Sequence, residues 1–219
     1  MLLRELREQI LETSIQMITD ELAYGAGGNI SARDSESGLI AITPSALNYT
    51  KMKIEDVVVI DVDGTVIEGK WKPTSETSMH TIFYRERKDV GAIVHTHAPH
   101  SSVFAITNES IPVVVAEAAL YIGEPVNVSP YGRPGTDELA HIVLDAMGDG
   151  VAVLLAQHGL ITVGATLSEA YSSTIATEIS ARLVIMARSM GSEPISMDHD
   201  EVREVRKLYL EHLHPTASD

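Results

Sequence analysis

Cysteine is absent from the 219-residue sequence. Disulfides, thiolate metal ligands and a cysteine nucleophile are therefore excluded, and any metal site must use histidine and carboxylate side chains. Aromatic residues are also scarce, with two Phe, one Trp and seven Tyr. Alanine, valine, isoleucine and leucine must therefore build the core.

Long apolar runs are missing as well. No stretch approaches about 18 uninterrupted apolar residues, so we expect no membrane-spanning helix. The N-terminal residues, MLLRELREQILETSIQMI, carry charges every few positions and lack the apolar core of a signal peptide. We therefore expect a cytoplasmic protein, and the length suits a single domain over residues 1–219.

Basic residues are in the minority. Sixteen Lys and Arg stand against thirty-one Asp and Glu, which gives a formal net charge of −15. Such a charge repels nucleic acid and anionic membranes, so we expect neither as a partner. An anionic small substrate would need a local device to overcome this field, such as a metal ion or a ring of backbone N–H groups.

Hydrophobic periodicity predicts helices separated by short strands. The predicted helices cover about 3–23, 73–87, 100–105, 137–147, 167–190 and 198–213, and the strands about 29–33, 39–42, 57–61, 65–68, 91–97 and 151–155. The segment 112–116 is ambiguous between strand and helix. Short strands in antiparallel-looking pairs, flanked by helices, indicate an α/β sandwich and argue against a doubly wound parallel sheet.

Three histidines stand out as candidate metal ligands. His95 and His97 lie two apart in a predicted strand, so their side chains project to the same side. His158 follows another buried strand and precedes a glycine, a natural place for a ligand to reach a cleft. Three imidazoles with an open fourth position describe a catalytic zinc site. The alternative is a chance pair of polar residues at a strand edge.

Glu76 stands at the start of a predicted helix. It is either a carboxylate that interacts with the helix dipole in the first turn or a general base beside the metal. In both cases Thr74 and Ser75 place hydroxyls and free N–H groups at a helix N-terminus, where an anion such as phosphate binds. The segments 27–29 and 43–46 offer similar groups.

The remaining histidines carry less weight. We interpret His80, four residues after Glu76, as a packing or supporting residue and not as a ligand. His100 either supports the metal site or caps the following turn. Solvent exposure is expected for His141, His199, His212 and His214.

Several motifs together resemble the class II aldolase/adducin-head family, and within it the L-fuculose-1-phosphate aldolase group. They occur in the order and spacing of that family from about residue 5 to 210. The matching segments are Gly27-Gly28-Asn29-Ile30-Ser31, Ile42-Thr43-Pro44-Ser45, Pro73-Thr74-Ser75-Glu76, His95-Thr96-His97-Ala98, Pro130-Tyr131-Gly132 with Gly135-Thr136, and Gln157-His158-Gly159-Leu160.

This resemblance implies a fold with a central, mainly antiparallel sheet covered by helices. It implies zinc, or another divalent transition metal, held by His95, His97 and His158, with Glu76 near the metal and acting as acid and base. It also implies a homotetramer with active sites at the subunit interfaces. The implied phosphate-binding residues are Gly28, Asn29, Ser45, Ala46, Thr74 and Ser75.

The implied reaction is cleavage of a ketose 1-phosphate between C3 and C4. The products are dihydroxyacetone phosphate and a short aldehyde such as lactaldehyde. The metal acts as a Lewis acid that stabilises the enediolate. We expect Glu76 to move protons, which calls for a pKa raised by an apolar, crowded setting.

One position departs from the fuculose-phosphate pattern. Those enzymes carry a tyrosine that protonates the leaving aldehyde, and here that position falls at about Ala116. Tyr121 lies one helical turn further on and cannot be assumed to replace it. A second, C-terminal tyrosine of that group falls near 209–212. The sequence therefore leaves the identity of the aldehyde open.

Other activities share this scaffold. The 4-epimerases for L-ribulose 5-phosphate usually carry Asp where Glu76 stands, so Glu76 favours an aldolase or a dehydratase. Sugar-phosphate dehydratases and decarboxylases keep the three histidines and the glutamate, and remain alternatives. A non-catalytic adducin-like interaction module lacks the metal ligands, and a metal-storage or sensor protein would not need a phosphate site.

Overall fold

The computed structural model describes residues 1–213. Its strands are β1 (Asn29–Arg33), β2 (Ile40–Ile42), β3 (Val58–Ile60), β4 (Val66–Glu68), β5 (Ala92–Thr96), β6 (Val128–Ser129), β7 (Ala152–Leu155) and β8 (Gly159–Gly164). They form one sheet in the spatial order β4-β3-β2-β1-β5-β8-β7-β6. Neighbours are antiparallel except β6 and β7, which run parallel.

Helices cover both faces of this sheet. They are α1 (Arg4–Thr19), α2 (Thr77–Glu86), α3 (Pro99–Thr107), α4 (Ala116–Tyr121), α5 (Asp137–Met147), α6 (Leu167–Ser189) and α7 (His199–Leu213). Helices α2 and α5 pack on one face, and α1, α3 and α6 pack on the other, with α4 beside α6 and α7 packed against α4. The expected α/β sandwich with a mainly antiparallel sheet is confirmed.

Burial of the sheet on both faces explains the composition of its strands. Val153 and Leu155 belong to the core beneath α2 and α5, whereas Ala152 and Leu154 face the opposite layer. Both faces therefore need apolar side chains, and these antiparallel strands show a continuous apolar run instead of alternation.

Most predicted elements are confirmed to within a few residues, and Thr136 caps α5 by accepting a hydrogen bond from the Leu139 N–H at 3.2 Å. Helix α1 ends earlier than predicted, because Glu21 adopts a positive φ of 59°. The ambiguous segment 112–116 is irregular up to the start of α4. Strand β8 was not predicted, although its apolar, β-branched residues are typical of a strand.

The structure can be compared with the predictions about membrane-spanning helices and exposed histidines over residues 1–213. None of the helices within residues 1–213 is long and apolar enough to cross a membrane. His141, His199 and His212 are exposed, as predicted. His214 lies outside the described residues.

Candidate active site

The site forms where β5 ends beside the starts of β1 and β8. Because β5 is antiparallel to both neighbours, Asn29 pairs with His95 and Leu160 pairs with Thr96 across the ladders. Residues far apart in sequence therefore meet at one edge of the central sheet.

The three histidines converge there. One nitrogen from each of His95, His97 and His158 lies within 4.8 Å of the others, and their ring centroids are 4.8–5.2 Å apart. The Nε2 atoms of His95 and His97 are 3.2 Å apart. Tetrahedral coordination with Zn–N distances of about 2.0–2.1 Å would separate two ligand nitrogens by roughly 3.4 Å. The spacing of these donors therefore fits a divalent cation.

His95 is held in the form that a metal ligand needs. Its Nδ1–H donates to the Leu160 carbonyl at 2.9 Å, which leaves the Nε2 lone pair facing the other histidines. Complete burial lowers the pKa of His95 to about 3, although the nearby Glu76 carboxylate opposes the shift. The imidazole is therefore neutral near pH 7 and able to coordinate.

His158 is presented by the tight connection between β7 and β8. Gln157 takes a positive φ of 56°, and the His158 N–H donates to the Leu155 carbonyl at 3.0 Å. This turn places His158 Nε2 3.5 Å from Glu76 Oε1. A strand-end turn thus carries the third histidine, as the sequence suggested.

Glu76 occupies the N-cap position of α2, but its side chain makes no capping hydrogen bond. Its Oε2 lies 3.2 Å from His95 Nε2 and accepts a hydrogen bond from Asn29 Nδ2 at 2.8 Å. Its Oε1 is buried and has no hydrogen-bond partner among the described residues. The carboxylate therefore faces the histidines and does not serve as a helix cap, and its free buried oxygen is suited to a cation or a proton.

The expectation of a raised pKa for Glu76 is wrong. Burial alone would raise the pKa, but attraction to His95 and His158 in their protonated forms and the hydrogen bond from the Asn29 amide favour the charged form, and the net pKa lies below its ordinary value. Glu76 is therefore an ionised carboxylate at neutral pH, which is the form that accepts a proton.

Two glycines allow the backbone to pass close to β5. Gly28 has a φ of +70°, and a Cβ atom added there would lie 2.5 Å from the His95 carbonyl oxygen. A Cβ atom on Gly159 would lie 2.3 Å from the Thr96 carbonyl oxygen. Only glycine fits at these positions without backbone movement. The Tyr49 hydroxyl, which sequence reasoning missed, holds the first loop by donating to the Gly28 carbonyl at 2.7 Å.

The predicted phosphate-binding residues also come together. They line one cavity of about 240 Å³ with Glu76, His97 and His158, and they are Gly28, Asn29, Ser45, Ala46, Thr74 and Ser75.

The hydrogen-bond donors that these phosphate-binding candidates offer differ from the free N–H groups expected from the sequence. The N–H groups of Ser45 and Thr74 already donate to the carbonyls of Lys72 and Thr43, at 2.9 and 3.1 Å. An anion there would depend on the hydroxyls of Ser45 and Ser75, which carry no hydrogen bond within the described part of the chain, and on the N–H groups that remain. The Thr74 hydroxyl accepts from the Glu76 N–H at 3.4 Å and can still donate its own proton.

The two tyrosines that the sequence analysis considered for proton donation do not line this cavity. Tyr121 packs edge-on against Tyr209 at 5.2 Å, and both line a larger cavity of about 670 Å³. That cavity is next to Gly164, at the end of the β7–β8 pair opposite His158. Tyr121 therefore does not replace a tyrosine at Ala116 within this chain, and the smaller cavity is the candidate site because it holds the titratable cluster.

His100 does not line the candidate site. Its N–H and its Nδ1 both contact Glu178 of α6, at 2.8 and 2.6 Å, and the Ser101 N–H also donates to Glu178, at 2.8 Å. Of the two roles left open by the sequence, the structure thus favours stabilisation of the α3 N-terminus.

Comparisons with known proteins agree with this geometry. The model of the class II aldolase and adducin N-terminal domain matches residues 8–185. A 5-deoxy-D-ribulose 1-phosphate aldolase from Bacillus thuringiensis serovar kurstaki is 41% identical over 209 residues, which cover 95% of this chain and 97% of the relative. A 5-methylthioribulose-1-phosphate/5-deoxyribulose-1-phosphate aldolase from Rhodospirillum rubrum is 36% identical, and the match covers 93% of this chain and 90% of the relative.

A solved structure of L-fuculose 1-phosphate aldolase superposes with a TM-score of 0.89 at 33% identity, and the match covers 94% of this chain and 96% of that one. The family, the fold and the relatives all indicate a lyase, so the non-catalytic alternative is set aside. The chain belongs to the class II aldolase and adducin N-terminal domain family and is a class II aldolase.

Proposed function

We propose that this aldolase cleaves 5-deoxy-ketopentose 1-phosphates, including those with a 5-methylthio group, between C3 and C4. The observation that carries this proposal is the convergence of His95, His97, His158 and Glu76 beside a cavity that Ser45 and Ser75 line. The hydroxyls of these two serines have no hydrogen-bond partner among residues 1–213. The names of the two curated relatives supply the substrate class. Cleavage would give dihydroxyacetone phosphate and a short aldehyde that lacks a hydroxyl next to its carbonyl.

This substrate differs from the L-fuculose 1-phosphate expected from sequence, whose cleavage would give lactaldehyde. Ala116 supports the difference, because it offers no phenol where the fuculose-phosphate enzymes carry one. An aldehyde without a second hydroxyl also presents fewer polar groups that the site must satisfy.

Zinc, or another divalent transition metal, would be held by His95, His97 and His158, with Glu76 as a further ligand. The neutral imidazole of His95 and the buried Oε1 atom of Glu76, which has no hydrogen-bond partner among the described residues, fit such an ion. When bound, the ion would supply Lewis-acid stabilisation of negative charge that develops on the substrate oxygens.

The chain's own residues bind the phosphate and move the proton. The hydroxyls of Ser45 and Ser75 donate to the phosphate of the substrate. In the cleavage direction the C4 hydroxyl loses a proton, the C3–C4 bond breaks, and C3 gains a proton. Glu76 is the carboxylate available to carry that proton, since its Oε1 has no hydrogen-bond partner among the described residues.

We also propose a cytoplasmic location and a homotetrameric assembly. The active sites of the tetramer would lie at the subunit interfaces. Exposed apolar side chains on two helices support self-association. Ile179, Leu183 and Met186 share one face of α6 through their spacing, and Val103 and Ile106 share one face of α3. Faces of this kind are typical of subunit contacts.

An assay of the metal-loaded protein on a panel of ketose phosphates tests the proposed activity. The panel contains 5-deoxyribulose 1-phosphate, 5-methylthioribulose 1-phosphate and L-fuculose 1-phosphate. L-ribulose 5-phosphate is the negative control, because its cleavage between C3 and C4 leaves the phosphate on the aldehyde. Release of dihydroxyacetone phosphate is followed with glycerol-3-phosphate dehydrogenase and NADH. We expect kcat/KM for the two deoxy substrates to exceed that for L-fuculose 1-phosphate by at least ~10-fold. Failure to release dihydroxyacetone phosphate from both 5-deoxyribulose 1-phosphate and 5-methylthioribulose 1-phosphate would overturn the proposal.

A further inference from the structure

A chain of buried polar side chains leads from Glu76 into the interior between α2 and the sheet. Asn29 Nδ2 contacts Glu76 at 2.8 Å, and Asn29 Oδ1 contacts His80 Nε2 at 2.5 Å. His80 Nδ1 then contacts the Ser31 hydroxyl at 2.6 Å, which contacts the Tyr84 hydroxyl at 2.7 Å. All five residues are at most 6% exposed.

The hydrogen bonds that link these five side chains have one consistent donor-to-acceptor direction. A carboxylate only accepts hydrogen bonds, so the Asn29 amide must turn its NH₂ group towards Glu76. The Asn29 carbonyl oxygen then faces His80 and needs a donor, which must be a protonated Nε2. Nδ1 of His80 is therefore the acceptor, the Ser31 hydroxyl donates to it, and the Tyr84 hydroxyl donates to Ser31.

The reverse direction is unfavourable. If His80 carried its proton on Nδ1, its Nε2 lone pair would attract the Asn29 NH₂ group. The amide would then rotate and place its carbonyl oxygen against the Glu76 carboxylate at hydrogen-bond distance, where two acceptors repel. A neutral His80 agrees with its burial, which lowers its pKa to about 4.

We propose that His80 is a positioning residue that orients the Asn29 amide and thereby keeps the Glu76 carboxylate in its productive orientation. This inference rests on the proposed role of Glu76 in proton transfer. The Asn29 bond engages Oε2 and leaves Oε1 as the oxygen that exchanges a proton with the substrate. His80 has no contact with the cavity, so it acts through Asn29.

A purely structural role for His80 gives different expectations. If His80 only filled space beneath α2, its replacement would lower stability and leave turnover per folded, metal-loaded chain unchanged. If it oriented Asn29 only towards the phosphate, the loss would appear in KM. Orientation of Glu76 predicts a loss in kcat, because the proton transfer belongs to the chemical step.

The variants His80→Gln and His80→Leu separate these cases. Glutamine retains an NH₂ donor for Asn29, whereas leucine fills similar space without a donor. We expect His80→Leu to lower kcat about tenfold or more, with KM changed less than about twofold, and His80→Gln to recover most of kcat. Equal kcat values for the two variants, after normalisation to metal content and folded fraction, would overturn the proposal.

A measurement on the wild-type protein keeps the proposal testable if the variants fold poorly or the substrate is wrong. The ¹⁵N spectra of histidine-labelled protein report the tautomer of each imidazole. We expect His80 with its proton on Nε2 and His95 with its proton on Nδ1, assigned with His80→Gln. A His80 proton on Nδ1 would overturn the inference whatever the activity, whereas an Nε2 proton in a protein inactive on the whole panel would count against the proposed function alone.

Discussion

His95 Nε2 and Glu76 Oε2 lie 3.2 Å apart, although one side chain comes from the central strand β5 and the other from the start of α2. The charged carboxylate favours cationic imidazole, yet burial keeps His95 neutral. An anionic carboxylate beside a neutral imidazole offers two donors that favour a divalent cation. This pair therefore connects the proposed metal-binding and acid–base roles of the site.

Metal binding should depend on each of the three histidines. We expect about one divalent ion per chain in the wild-type protein. His97→Ala and His158→Ala should lose most of this metal with little change in helix content, because each removes a ligand at the edge of the cavity. Elemental analysis and circular dichroism measure the two quantities. His199→Ala, at an exposed position, is the matched control, and retention of metal by both test variants would rule out the proposed ligand set.

Replacement of Glu76 by Gln should separate catalysis from folding. Glutamine keeps the size of the side chain but cannot accept a proton, so turnover should fall by about 10²–10⁴-fold. Metal content should be largely kept, because three imidazoles remain. Steady-state kinetics on the best substrate of the panel gives the result, with the exposed Glu36→Gln as control. Turnover within a few-fold of wild type would remove Glu76 from the mechanism.

Phosphate binding should respond to charge at Ser75. Ser75→Asp places a negative charge beside the substrate phosphate and should raise KM at least ~10-fold, since close like charges repel strongly at a partly desolvated site. Ser192→Asp makes the same charge change at an exposed position away from the cavity. A KM equal to that of this control would show that the phosphate binds elsewhere.

The close approach of Gly28 to β5 should make an alanine variant at this position less stable. Gly28→Ala and Gly191→Ala both place alanine at positive φ, but only the former brings a Cβ atom against a backbone oxygen. We expect Gly28→Ala to lose about 1–3 kcal/mol more free energy of unfolding than Gly191→Ala, the usual cost of overpacking. Urea denaturation of both variants measures the difference. Equal losses would mean that the loop relaxes without cost.

The buried His80 should make stability depend on pH. Its folded pKa of about 4 lies below the ordinary 6.5, so the folded state binds fewer protons in this range. The stability from neutral His80 is therefore complete above pH 6.5 and is lost as pH falls from 6.5 towards 4, by at most about 1.4 kcal/mol per pH unit. Urea denaturation of metal-free wild type and His80→Gln between pH 7 and 4.5 should show a steeper loss for the wild type. Parallel curves would contradict the shifted pKa.

Self-association should depend on the exposed apolar face of α6. Light scattering of the wild-type protein should give about four times the chain mass of 23.7 kDa. Leu183→Glu should reduce the mass, because it buries a charge in the contact. Lys207→Glu, on the exposed surface of α7, serves as control. A monomeric wild-type protein would refute the proposed tetramer.

Local sequence determined most of the fold. Apolar periodicity located the principal helices, and the Thr136 cap marked the start of α5, because these signals act within a few residues. Alternation of side chains along a strand brought His95 and His97 to one side. A strand end before a glycine pointed to His158 and a helix start to Glu76, and the family motifs pointed to the proposed phosphate-binding residues.

Only the tertiary structure decided which groups are free to act. The N–H groups of Ser45 and Thr74 are used by carbonyls from other segments, and the pKa of Glu76 is lowered by histidines from two other strands or turns. The donor direction from Tyr84 to Asn29 likewise depends on β1 packing against α2. Hydrogen bonding and charge act through space, so their balance at each group depends on neighbours that local sequence patterns do not specify.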